Sequence, residues 1–320
     1  MSNNIIYPEA ITLREVQDNL RDCETATEVR EIFRKSTEGR TLYGTAGDFH
    51  NLAVRLSKEK QLYNLACEVL EKGLEMPQYS RDVDLLADYI FYGIKCGKEK
   101  QCAYYYSVLC TIPKKRWKWR AFSFSIDYLL QVAERIESNE DLDIAVNDMH
   151  ELANEYIHNF PLDEGGYIVK ADIYDFVNQQ DEMEDILVKG LELPRAPKCS
   201  LRLADIAFEK GKYSEARKYL KHAKVTGIGT ESHISINYVY YLDLMCMICD
   251  LTPQEVSPEA VHALYKQYAE AKTIMDGDAS TQDLLNILDR QIELFGVRTS
   301  YKYDPTIFED ESRAFIDINS

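Results

Sequence analysis

Residues 201–225 read "LRLADIAFEKGKYSEARKYLKHAKV", and this stretch decides the fold. Leu201, Ala204, Ala207 and Phe208 recur at helical spacing and make one apolar stripe. The string "KGKY" then breaks the pattern, because Gly211 can take the left-handed backbone that ends a helix. Ala216, Tyr219, Leu220 and Ala223 make a second stripe. Two short amphipathic helices joined by so tight a turn form a hairpin. A side chain larger than alanine at Ala204 or Ala216 would push the two axes apart.

The rest of the chain repeats this plan with drift. "VLEKGLEMP" at 69–77 returns as "ILVKGLELP" at 186–194, with six of nine positions identical at an offset of 117 residues. Each string ends a helix: a glycine (Gly73 or Gly190) stands near the close, and Pro77 or Pro194 stops the run. Further helix pairs read over 50–77, 84–113, 119–161 and 167–194, with Asn178 serving the turn of the last. Their equivalent mid-helix positions, with that of the decisive hairpin, are 66, 102, 145, 183 and 216, spaced by 36, 43, 38 and 33 residues. The matching strings are therefore ends of equivalent second helices, three steps apart.

Composition bounds the function. The chain has 320 residues, 45% of them hydrophobic, with a helix-favouring composition and no long Val/Ile/Thr alternation, which argues all-α. A net charge of -17 disfavours general binding to nucleic acid or to anionic membranes. The eight cysteines are scattered through apolar helical runs and read as reduced core thiols of a cytoplasmic protein. The first twenty residues lack the pattern of a signal peptide. The most apolar run, "YVYYLDLMCMIC", is too short to span a bilayer.

The hairpin of residues 201–225 resembles one tetratricopeptide repeat (TPR) unit, on Ala204, Gly211, Tyr213, Ala216, Leu220 and Ala223. The other units match less well: the period departs from the family's about 34 residues, and its tryptophan and Leu-Gly positions are missing. The resemblance implies an all-α α-solenoid of degenerate TPR-like hairpins, a right-handed superhelix with helical caps at both ends. The expected segments are capping helices over 1–47, the array over 48–225, further helical repeats and cap over 226–296, and an irregular acidic tail over 297–320. Within 1–47, helices are expected over 9–22 and 26–37. Ser257-Pro258 and Ser280 with Asp283 read as helix starts.

Several motifs bear on chemistry. "PKKRWKWR" at 113–120 sets Lys114, Lys115, Arg116, Lys118 and Arg120 around Trp117 and Trp119, the only tryptophans. Such a cluster can pair with phosphate or carboxylate and offer stacking area. Its structural reading is a helix junction whose cations offset a helix dipole while Trp119 joins the core. Arg217 and His222 match the spacing of HEPN ribonucleases but lie five apart in the hairpin's second helix, where they need not share a face. Cys246 and Cys249 form a lone CxxC with no further zinc ligands nearby and read as core. His150 and His158 lack the HExxH of zinc proteases. Asp276, Asp278 and Asp283 lack the closing Glu of a calcium loop. "GIGTES" lacks the Gly-Lys-Ser/Thr of a phosphate loop, and no GxSxG appears.

The reading that follows is a non-enzymatic scaffold that needs no cofactor or metal. As the resemblance implies, first helices of successive pairs would line a concave groove for a protein or peptide partner. Its candidate wall residues are exposed first-helix positions: Asp88, Tyr92, Lys170 and Tyr174. The alternatives are a regulatory sensor with a TPR-like ligand domain, a HEPN-like ribonuclease, and a nucleic-acid binder through residues 114–120. Against the sensor, residues 1–47 show no convincing helix-turn-helix.

Overall fold

The computed structural model describes residues 10–23, 25–57, 62–227, 235–251, 256–275, 281–299, 301–303 and 315–317. It is all-α, with fifteen α-helices and two small two-stranded sheets among the described residues. The chain divides into two compact units, residues 1–177 and 178–320. The division falls inside the segment read as one array over 48–225.

The first unit runs β1 (Ala10–Thr12), α1 (Leu13–Asn19), α2 (Ala26–Thr37), β2 (Thr41–Tyr43), α3 (Ala46–Leu56), α4 (Tyr63–Leu74), α5 (Val83–Lys95), α6 (Glu99–Cys110), α7 (Trp119–Ala133), α8 (Asn139–Asn159) and α9 (Gly165–Phe176). The pairs α3/α4, α5/α6 and α7/α8 are hairpins, and the first helices α3, α5, α7 and α9 pack on one another in succession. Gly73 allows the close approach: a Cβ there would stand 3.0 Å from the Phe49 ring of α3 and 3.2 Å from Leu85 of α5. In the "VLEKGLEMP" copy, the glycine therefore has a packing cause.

Helix starts in this unit are encoded locally. Thr12, Thr25 and Thr45 each cap a helix, and Glu15, Glu28 and Asp48 answer as the reciprocal partners of capping boxes. Hydrogen bonds from the capping threonines hold the Glu15 and Asp48 carboxyls below their ordinary range. One expectation needs correction: residues 9–22 are not one helix. Ala10–Thr12 is a strand paired in parallel with Thr41–Tyr43, and Ile11 and Leu42 bury side by side at its centre. The helix begins only at Leu13, after the Thr12 cap.

The second unit runs α10 (Gln180–Gly190), α11 (Pro197–Glu209), α12 (Tyr213–Gly227), α13 (Ile236–Asp250), α14 (Pro258–Met275), α15 (Gln282–Thr299), β3 (Tyr301–Tyr303) and β4 (Phe315–Asp317). Asn178 takes the left-handed conformation at φ 58°. The decisive hairpin is α11/α12. Gly211 turns at φ 71°, and Lys212 N–H closes back on the Ala207 carbonyl at 2.8 Å. Ala204 and Ala216 are fully buried where the two helices meet. α13 packs across α12 and α11, and α14 and α15 follow on α13. Ser257 accepts from Ala260 N–H at 3.2 Å, with Pro258 opening α14. Part of the segment read as an irregular tail is ordered: α15 continues to Thr299, and Tyr301–Tyr303 pairs antiparallel with Phe315–Asp317. Ser280, Asp276, Asp278 and most of "GIGTES" lie outside the described residues.

Candidate functional site

The first-helix face of residues 1–177 carries an ordered set of side chains. α5 presents Asp84, Asp88, Phe91 and Lys95, one helical turn apart, so they share a face. α7 presents Arg120, Phe124 and Asp127 in the same manner, with Lys118 at its N-cap. The successive packing of α3, α5 and α7 sets these stripes side by side, and they meet as rungs.

The outermost rung is an ion pair between Lys118 and Asp84. The next spans three helices: Asp88 of α5 meets His50 Nδ1 of α3, and Arg120 of α7 reaches His50 Nε2 at 3.0 Å. Asp88 is 2% exposed. Burial pushes its carboxyl up, against the hydrogen bond from His50 and the nearby positive charge of Arg120. The third rung is aromatic: Phe91 and Phe124 stack with centroids 4.3 Å apart. Trp119 extends it, 6.4 Å from Phe124. Two cations sit on these rings, Lys95 at 4.5 Å over Phe91 and Arg120 at 5.2 Å over Trp119. Beyond them lies Asp127, its carboxyl pushed up to about 6 by burial first and by the Asp172 charge of α9 second, with Lys95 opposing.

This arrangement sorts the residues named from sequence. Asp88 and Tyr92, expected on an exposed wall, are both buried. Asp88 is buried with the His50 Nδ1 contact on its carboxyl and the Arg120 charge nearby. Tyr92 is buried because α5 packs on α3, where Ser57 Oγ donates to its hydroxyl at 2.9 Å and Tyr63 lies 5.7 Å away. Lys170 and Tyr174 are half-buried: Lys170 donates to Asn154 Oδ1 at 2.6 Å, and Tyr174 stands 4.7 Å from the His150 ring. The basic cluster is not one surface. Lys114, Lys115 and Arg116 form an exposed 3-10 turn, where Lys114 pairs with Glu155 at 3.0 Å. Trp117 is core, its Nε1 donating to the Ile112 carbonyl at 3.1 Å beside Phe122. Trp119, expected in the core on the structural reading, is 43% exposed. Lys118 and Arg120 belong to the rungs with Asp84 and Asp88, so two candidate sets join at one place.

His50, Phe91, Lys95, Phe124 and Asp127 escaped the sequence reading. For the four on α5 and α7 the signal was the i, i+4, i+7 recurrence of charge and aromatic on two helices in register, legible only once the hairpins are aligned, and His50 on α3 carried none.

The remaining motifs resolve locally. Arg217 Nε donates to Asp243 at 2.8 Å while His222 Nδ1 meets Ser200 Oγ at 2.6 Å, so the two are held by different helices and do not converge. Cys246 is buried and Cys249 exposed. Among the described residues, no group of three or more His, Cys, Asp or Glu side chains is placed to hold a metal ion. No described helix is long and apolar enough to cross a membrane.

No family model and no curated protein matches the chain. Among solved structures, it is similar to a thermophilic TPR protein of Thermus thermophilus, at 14% identity and a TM-score of 0.49, over 65% of this chain and all of that one.

Proposed function

We propose that the protein is a non-enzymatic, TPR-like scaffold that holds a protein or peptide partner on the first-helix face of residues 1–177. The observation that carries this is the accessible aromatic and cationic ladder of Trp119, Arg120, Phe124, Phe91 and Lys95. Half-buried aromatic rings with fixed neighbours supply contact area at little entropic cost, the property of interface hot spots. The two polar rungs beside them pair their own charges, Lys118 with Asp84 and His50 between Asp88 and Arg120. Lys95 is exposed over the Phe91 ring, and an acidic or aromatic side chain of the partner suits it.

Site-specific photocrosslinking tests this. A benzophenone amino acid is placed at position 119 or 95 on the ladder, or at Tyr104 on α6, which is 63% exposed and serves as the control. The same partner band from positions 119 and 95, and its absence from 104, is the expected result. Equal crosslinking from all three positions, or none from the ladder, overturns the proposal.

A further inference from the structure

We infer that the cleft between α12 and α13, in residues 178–320, is a second binding site, and that its ligand is a short acidic peptide segment. The cleft is an open groove of about 350 Å³, lined by Ser214, Arg217, Lys218, Lys221 and Lys224 of α12 and by Asp243 and Asp250 of α13. Asp243 is the organising group. Its Oδ1 accepts from Arg217 Nε at 2.8 Å, and its Oδ2 accepts from Gln267 Nε2 at 2.5 Å and lies 3.7 Å from Lys224 Nζ. Lys224 is also held 3.7 Å over the Tyr240 ring, whose hydroxyl donates to Glu270 at 2.9 Å. Two cations are thus fixed before any ligand arrives, which lowers the ordering cost of binding. Lys218 and Lys221 are exposed and have no carboxylate partner among the described residues.

Four cations face two carboxylates here, in a chain whose net charge is -17. The positive excess is local, so it selects a ligand of opposite sign. From Arg217 to Lys224 the helix rises about 10 Å, the length of about three residues of extended chain. Acidic side chains at alternating or adjacent positions of one short segment can therefore reach the stripe. A nucleic acid fits less well. Its charge continues past the cleft, and the acidic remainder of the chain repels every phosphate within about a Debye length, roughly 10 Å. A short peptide meets only the local field.

The test is fluorescence anisotropy of the full chain with labelled hexaglutamate, hexalysine and a short thymidine oligonucleotide as probes. Hexaglutamate is expected to bind and to weaken as salt is raised. Lys218→Glu/Lys221→Glu should weaken it by about tenfold or more, and Lys218→Gln/Lys221→Gln by less. Circular dichroism checks that both variants remain helical. Trp119→Ala/Phe124→Ala should leave hexaglutamate binding unchanged, which separates this site from the first-helix face. Hexaglutamate binding that is absent, or unaltered by the charge reversal, overturns the proposal. So does oligonucleotide binding tighter than hexaglutamate binding and lost in the same variant.

Discussion

Arg120 Nη1 stands 3.0 Å from His50 Nε2, so a guanidinium of α7 grips an imidazole of α3 whose other nitrogen meets Asp88 of α5. A guanidinium only donates, so Nε2 accepts and the ring proton sits on Nδ1, donating to the Asp88 carboxylate. Asp88→Ala leaves the His50 Nδ1 proton without its acceptor beside a void and should destabilise the protein by about 3 kcal/mol. Asp88→Asn keeps an acceptor for the Nδ1 proton and should cost clearly less. Urea denaturation of the two variants measures the difference; equal losses would show that volume, and not the acceptor, is what matters.

Gly93 of α5 faces Cys102 of α6 so closely that an added Cβ would stand 2.6 Å from Sγ. Alanine ordinarily favours a helix over glycine by about 1 kcal/mol. Here Gly93→Ala should instead destabilise by about 1–3 kcal/mol through overpacking. Cys102→Ala vacates the contested space, so the double variant should be more stable than the sum of the single losses predicts. Additive losses in the cycle would refute a direct clash.

Asp127 sets a pH dependence. Its carboxyl releases a proton near 3.8 when unfolded and at about 6 in the fold. Between those values the native state holds more protons than the unfolded chain, so stability falls as pH rises through this window and is level above it. Asp127→Asn removes that loss and should raise stability near neutral pH by on the order of 1–2 kcal/mol. Near pH 4 the two proteins should melt together. Thermal melts across the window report it, and parallel curves for both proteins would rule it out.

The turn residues respond differently to one kind of change. Gly211 has φ 71° and Asn178 has φ 58°. Gly211→Ala should cost about 1–2 kcal/mol, because a Cβ in the left-handed region is crowded. Asn178→Gly relieves what strain asparagine bears there and should be neutral within about 0.5 kcal/mol. Chemical denaturation of both variants gives the comparison, and a larger loss at Asn178 would contradict it.

The hairpins were legible because their signals are local. Ala204, Gly211 and Ala216 declare two packed helices within thirteen residues, and Ser257-Pro258 marks a helix start from two adjacent residues. The rungs were not legible, because each joins residues one or two repeats apart: His50 meets Asp88 across 38 positions and Arg120 across 70. With spacings that drift from 33 to 43 residues, no fixed period aligns the helices in advance. A charged residue on a first helix therefore reads as solvent-facing, although Asp88 is buried by its partners. Trp117 and Trp119 were equally ambiguous, since a two-residue step reverses sides where the chain enters a helix. The strands Ala10–Thr12 and Tyr301–Tyr303 are three residues long, too short for an alternation to register.

The three-helix polar rung also constrains inheritance. Its members lie on separate helices, and each is useful only while the others persist. A lineage that loses the carboxylate at 88 strands the imidazole at 50, and one that loses that imidazole strands both the carboxylate and the guanidinium at 120, so the three positions should change as a set. Among descendants of a common ancestor, substitutions at 50, 88 and 120 would arrive in correlated groups, whereas the exposed Lys115 on its turn is at liberty to drift alone.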